Sequence, residues 1–188
     1  MKKIIFIGIV LLMTMSFNSY GQTALNYSEV VKTDSVSKDE LFERAKVWLA
    51  TSYNNSKSVI QLENKNDGVI IGKASMKYDS NVSSGSSATN GVISYLVKIY
   101  TKDNRYKYEI TDFLHEPRGN EYGQMASFGL ITDEADCKIK LEGYFISKKW
   151  NDKVWNDIKN QINKNITPLI ESLKTKMQQK AEIKNNNW

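Results

Sequence analysis

Apolar positions along this chain recur with two different periods, and the switches between them mark out the elements. Tyr27 to Thr33 reads as a first strand, with Tyr27, Val30 and Val31 apolar. Ser37-Lys38-Asp39-Glu40 then opens a helix as a capping box, in which hydroxyl and carboxylate satisfy orphan amides reciprocally. Val36 and Leu41 occupy the staple positions around it. Leu41, Ala45, Trp48 and Leu49 share one helical face, Phe42 and Val47 widen it, and Glu43, Arg44 and Lys46 look outward.

Alternation with period two follows. Val59 to Glu63 is a short strand, Asp67-Gly68 is a hairpin signal, and Val69 to Tyr78 returns. Gly72 marks a bulge or a close approach. Residues 79–91 are rich in Ser, Asn and Gly and read as a mobile loop. Val92 to Thr101 and Tyr106 to Leu114 form a second hairpin around Lys102-Asp103-Asn104-Arg105. Ile93, Tyr95, Val97 and Ile99 share one face of the first strand, and Tyr106, Tyr108, Ile110 and Leu114 share one face of the second. Pro117, Gly119, Gly123 and Gly129 interrupt the next stretch, in which Lys138 to Phe145, with Ile139, Leu141 and Tyr144, adds a short strand.

From about Lys149 to residue 182 the period returns to three and four. Trp155, Ile158, Ile162, Ile166, Leu169, Leu173 and Met177 keep one stripe, and its unbroken phase predicts a single helix kinked at Pro168. The expected fold is α+β: strand, helix, four strands and a long helix, folded as a curved antiparallel sheet packed under two helices. Residues 22–182 form one domain and 183–188 a flexible tail.

The chain start has another purpose. Lys2 and Lys3 precede an apolar run from Ile4 to Met15, and Ser19 and Gly21 supply small residues before a cut at Gln22. Residues 1–21 therefore read as a secretory leader, too short to span a bilayer comfortably. Export to the periplasm or the cell exterior is expected, with no integral membrane segment once the leader is removed. Loss of Lys2 and Lys3 with it lowers the formal charge from +5 to +3. The lysines are scattered among acids, which argues against a nucleic-acid partner. Cys137 is the single cysteine, so no internal disulfide forms and stability comes from packing.

Candidate chemistry is sparse. His115 is the only histidine, and with Asp112 and Glu116 it suggests a hydrolase-type acid–base site. Strand parity opposes this, because Asp112 and Leu114 point one way and Phe113 and His115 the other. One His rules out two-His metal motifs, and no metal site is expected. Asp133, Glu134 and Asp136 lack the spacing and the Gly of a calcium loop and read as a solvated acidic face. Neither a P-loop nor a dinucleotide fingerprint is present, so no cofactor is expected. Tyr78, Tyr95, Tyr100, Tyr106 and Tyr108 sit on adjacent strands. Tyr95, Tyr100, Tyr106 and Tyr108 are the candidate contact residues for a protein, peptide or glycan partner, since tyrosine carries large rigid area with a polar tip. A structural or assembly part that pairs through an exposed edge strand is a further reading.

Several stretches together resemble a secreted bacterial family of unknown function whose fold is TATA-binding-protein-like. They are Tyr27-Ser28-Glu29-Val30-Val31, the helical run from Ser37 to Leu49, Ser58-Val59-Ile60-Gln61-Leu62, the Gly68 to Gly72 turn and strand, and Tyr106-Lys107-Tyr108 running to Thr111-Asp112-Phe113. The resemblance spans about residues 27–114 and, loosely, the last helix. It implies a fold and export. It implies no activity, catalytic residue or cofactor, and a fold name alone does not imply DNA binding.

Overall fold

The longest hairpin organises the sheet. In the computed structural model, which describes residues 23–53, 59–82, 86–139, 141 and 147–179, the hairpin strands are β4 (Gly91–Lys102) and β5 (Arg105–Pro117). Asn104 closes their turn at φ +60°, a left-handed conformation that Asn tolerates better than most residues. The other strands are β1 (Tyr27–Lys32), β2 (Ile60–Asn64), β3 (Val69–Tyr78) and β6 (Gly129–Leu130). Their order is β1-β5-β4-β3-β2, with β6 pairing the far end of β5, and every pairing is antiparallel. The leader, its cut site, Tyr144 and the tail at 183–188 lie outside the described residues.

Two helices cover one side of this sheet. In α1 (Lys38–Ser52) the Ser37 hydroxyl accepts the Glu40 amide at 3.2 Å, as the capping box requires. Leu41, Phe42, Ala45, Trp48 and Leu49 are buried. The expected outer face needs correction at two positions. Val47 is 44% exposed, whereas Arg44 is only 3% exposed. Arg44 lies one turn from Glu40, pairs with its carboxylate, and donates to the Met177 carbonyl at 2.5 Å. That carbonyl ends the second helix, where an arginine suits both the orphan acceptor and the helix dipole.

The second helix, α2 (Lys148–Gln178), is capped by Ser147 and runs unbroken through Pro168. Its buried stripe is Val154, Trp155, Ile158, Ile162, Ile166, Ile170, Leu173 and Met177. Ile170 takes the place expected for Leu169, which is half-buried beside the core. Trp48 Nε1 donates to Ser172 Oγ at 2.9 Å and Trp155 Nε1 to the Glu134 carbonyl at 3.0 Å. Both indoles therefore bury their rings with the polar edge satisfied.

Two irregularities set which residues face the helices. Across from Gly72, β2 carries an extra residue, because Ile60 pairs with Gly72 and Leu62 already pairs with Ile71. A Cβ on Gly72 would lie 3.2 Å from Val59 Cγ1, so the expected close approach is real. In β5 the register slips between Leu96↔Thr111 and Ser94↔Leu114, so that Asp112 and Phe113 stand opposite the single residue Tyr95. Asp112 adopts φ +58° there, as the extra residue of a bulge. The bulge corrects the sequence expectation for Leu114. It inverts the parity inherited from Tyr106, so Phe113 and His115 turn inward and Leu114 turns out.

Between β5 and α2 the strand content also differs from expectation. The added strand is Gly129–Leu130, while Lys138, Ile139 and Leu141 are not in a strand. The expected mobile loop at 79–91 is tied down at both described ends. Asn81 donates to Asp157 through its backbone and side chain, Ser80 donates to Asn90 Oδ1, and the 3-10 turn Ser86–Thr89 buries Ala88 and Thr89.

If these helix faces are right, Trp48→Ala and Trp155→Ala should each cost about 3–5 kcal/mol in denaturant melts. Val47→Ala should change stability by no more than about 0.5 kcal/mol. A Val47 variant as damaging as either Trp variant contradicts the assignment.

Candidate binding face of the sheet

His115 sits in the core, not in a cleft, with 1% of its surface exposed. The Phe128 amide can only donate, so Nδ1 accepts it at 3.1 Å and carries no proton. Nε2 holds the proton and donates to the Thr89 carbonyl at 2.7 Å. Tyr78 and Phe128 meet the ring edge-on, with centroids at 5.3 and 5.8 Å. Burial lowers the imidazole's affinity for a second proton, against smaller opposing pulls from the Thr89 carbonyl and Glu116. Both ring nitrogens are thus committed to backbone partners, and neither is left for a metal or a substrate.

The carboxylates expected beside His115 lie on the other face of β5. Asp112 pairs with Lys98 at 3.6 Å, and Glu116 is exposed. Cys137 is buried, donates to the Ile139 carbonyl at 3.6 Å, and has its thiol pKa raised by burial. Of the acidic group, Asp133 and Asp136 are exposed, Glu134 pairs with Lys138, and Asp136 with Lys148. Among the described residues no three His, Cys, Asp or Glu side chains gather as metal ligands would.

The four candidate tyrosines do not share a surface. Tyr95, Tyr106 and Tyr108 are buried on the helix side, and only Tyr100 lies on the other face. Tyr95 stacks on Phe113 at 5.4 Å and approaches the Tyr53 hydroxyl at 3.4 Å. Tyr108 donates to Glu29 at 3.0 Å, and Lys174 of α2 meets the same carboxylate at 2.8 Å. Burial pushes the Tyr108 phenol up to about 12 and raises Tyr95 and Tyr106 as well. The signal that separates them is parity. Tyr95 alternates with Ile93, Val97 and Ile99, whereas Tyr100 falls out of that phase.

The open face, away from both helices, has its own order. Strand register places Val30, Lys107, Tyr100 and Val69 in one row across β1, β5, β4 and β3. The next row holds Ser28, Glu109, Lys98, Ile71 and Leu62. At the opposite end Leu114 pairs with Leu130. Val30 is 57% exposed, and Leu62, Leu114 and Leu130 are also exposed. A hollow of about 480 Å³ opens at the β1–β5–β4 end, lined by Val30, Tyr100, Lys102, Arg105, Tyr106, Lys107 and Glu109. A second hollow, between Asn81 and α2, has its Asp157 carboxylate already engaged by Tyr78, Asn81 and Gln161. Nothing in the sequence pattern announced the first hollow, because it depends on which strands become neighbours.

Comparison with known proteins places the architecture. Residues 27–116 match the family described as a domain of unknown function (DUF4468) with TBP-like fold. A crystal structure of a TBP-like protein from Parabacteroides distasonis ATCC 8503 is similar at TM-score 0.54 and 19% identity, covering 80% of this chain and 93% of that one. A DUF4468 family protein from Bacteroides ovatus ATCC 8483 is similar at TM-score 0.51 and 14% identity, covering 80% and 86%. At these identities the likeness concerns the fold. A comparison with curated proteins finds no match.

The locked imidazole has a pH consequence. In the unfolded chain it takes its ordinary value near 6.5, and in the fold the value is lower. Above 6.5 both states are neutral and His115 contributes no pH dependence. As pH falls below 6.5 the unfolded chain takes the proton first, so stability declines until the folded pKa is reached. The stabilities of the wild type and of His115→Gln in denaturant melts should therefore converge as pH falls, with the acid-side slope shallower in the variant. At neutral pH the variant should be the less stable by about 1–3 kcal/mol, because buried partners are left unpaired. Parallel curves would contradict the burial.

Proposed function

We propose that this chain, a member of DUF4468 through residues 27–116, is an exported, non-enzymatic binding module that uses the open face of its sheet. The observation that carries this reading is that four of the large apolar side chains exposed among the described residues lie on that face, while Val47, Tyr122 and Met125 are exposed elsewhere. Val30, Leu62, Leu114 and Leu130 all lie there, with half-buried Tyr100, Ile71 and Leu96 between them. A soluble domain leaves large apolar groups grouped in this way where another surface meets them. The strands beneath form a rigid backbone lattice, so a ligand meets a preorganised surface and loses little to ordering it.

Tyr100 is the one of the four candidate tyrosines placed to make such a contact. Tyr95, Tyr106 and Tyr108 act indirectly, by fixing the sheet to the helices. The hydrolase reading finds no support in His115, whose nitrogens are held by Thr89 and Phe128. Export rests on the leader at 1–21, and among the described residues no helix is long and apolar enough to cross a membrane.

A neutral apolar dye, Nile red, tests the face directly. It should brighten with the folded protein, and Leu62→Ser combined with Leu114→Ser should cut that signal severalfold without lowering the melting temperature. A variant that keeps the signal, or that loses it only by melting, refutes the proposed face. The intact mass of protein collected outside the cytoplasm should correspond to a chain beginning at Gln22; retention of Met1 to Gly21 contradicts export by cleavage.

A further inference from the structure

The hollow at the end of the open face has a charge pattern that the fold alone does not explain. Lys32, Arg105 and Lys102 are direct cross-strand partners on β1, β5 and β4. Each stands two residues from Val30, Lys107 or Tyr100 on its own strand, so all three side chains belong to the open face. Three cations are thereby held within roughly 10 Å, two strand spacings. Like charges placed directly opposite one another destabilise a sheet.

Among the described residues no acid lies within ion-pair distance of them. Lys32, Lys102 and Arg105 form no ion pair, whereas Lys107 is matched by Glu109 and Lys98 by Asp112. The carboxylate of Asp103 in the adjoining turn accepts the Lys38 amide of α1 at 2.8 Å. The row is therefore an uncompensated positive edge, and it borders an apolar surface. Val30 and Tyr100 line the hollow, and register continues the apolar path from Tyr100 to Val69, Ile71 and Leu62. From Tyr100 to Leu62 that path covers roughly 12 Å, two strand spacings across and two residues along. Its length suits a medium acyl chain.

We infer that the hollow binds an amphiphilic carboxylate, with the anionic head against Lys102 and Arg105, Lys32 adding positive charge from the neighbouring strand, and the apolar chain laid over Tyr100 toward Leu62. The volume of about 480 Å³ falls in the range of small-ligand sites. Arginine supplies the planar fork that a carboxylate fits. A nucleic-acid strand would need an unbroken cationic track, and Glu109, Asp112 and Glu116 interrupt one on this same face. The inference rests on the open face being the binding surface and adds to it a head group and a place.

Decanoate, kept below its micelle concentration, is the probe, with decanol and inorganic phosphate as the neutral and chain-free arms. Amide and side-chain NMR shifts should respond to decanoate at Val30, Tyr100, Lys102 and Arg105, and far less to either control. Lys102→Gln with Arg105→Gln should melt no lower than the wild type, since repulsion is removed, and should bind decanoate roughly tenfold more weakly, the loss of a charge-assisted contact. Equal response to decanol would overturn the anionic head while leaving the apolar face standing. Equal response to phosphate would overturn the role of the chain. No response to decanoate, or full affinity in the double variant, overturns the inference even where Nile red still reports the face.

Discussion

The bulge at Asp112 decides what each face of this protein carries. Were this same sequence a regular strand with no bulge, the parity set by Tyr106, Tyr108 and Ile110 would bring Leu114 inward and turn Phe113 and His115 to solvent. With it, Phe113 reaches Tyr95, His115 reaches Thr89 and Phe128, and Leu114 stands outside against Leu130. One backbone irregularity thus removes the only imidazole from the surface and adds an apolar pair to the open face. Its cost is a non-glycine residue in the left-handed region, on the order of 1–2 kcal/mol. The packing of Phe113 and the two hydrogen bonds of His115 act against that cost.

Among the described residues, the helix side then absorbs most of the aromatic side chains. Trp48, Trp155, Tyr78, Tyr106, Phe42, Phe113 and Phe128 are all nearly inaccessible. Polar ties along the rim hold the layers in place: Arg44 on the Met177 carbonyl, Trp48 on Ser172, Tyr78 on Asp157, and Glu29 shared by Tyr108 and Lys174. Each bond is worth about 1 kcal/mol net, so the burial beneath them carries the stability and the bonds select the arrangement. The hydroxyl of Tyr106 is buried without a partner among the described residues, an expense for which the fold offers no visible return. What remains outside is a surface of valine, leucine and lysine in strict cross-strand register. That division of labour between the two faces is the basis of the proposed binding role.

Periodicity made much of this legible in advance. The Ser37 cap, the α1 core, the Asp67-Gly68 turn, the β4–β5 hairpin and the long α2 stripe all follow from local spacing. Local spacing cannot see a register slip, so it points Leu114 to the wrong face. It cannot see a neighbouring helix end either, and Arg44 looked like an outer residue until the Met177 carbonyl arrived from far along the chain. The tyrosines illustrate a different limit. Adjacent strands brought them together on paper, but parity separated Tyr100 from the other three. The cationic row of Lys32, Arg105 and Lys102 was invisible because β1 joins β5, its distant partner in sequence, across α1 and three strands.

The phase of β5 is the claim on which both faces depend, and the single histidine reports it. Ring nitrogen NMR of His115 across neutral and mildly acidic pH is the most direct test. A His115 buried between Thr89 and Phe128 gives one neutral form with the proton on Nε2, slow to exchange, and no titration near the ordinary value of 6.5. A mixture of tautomers titrating freely at that value would place His115 in solvent, reverse the two faces of the strand, and contradict the account.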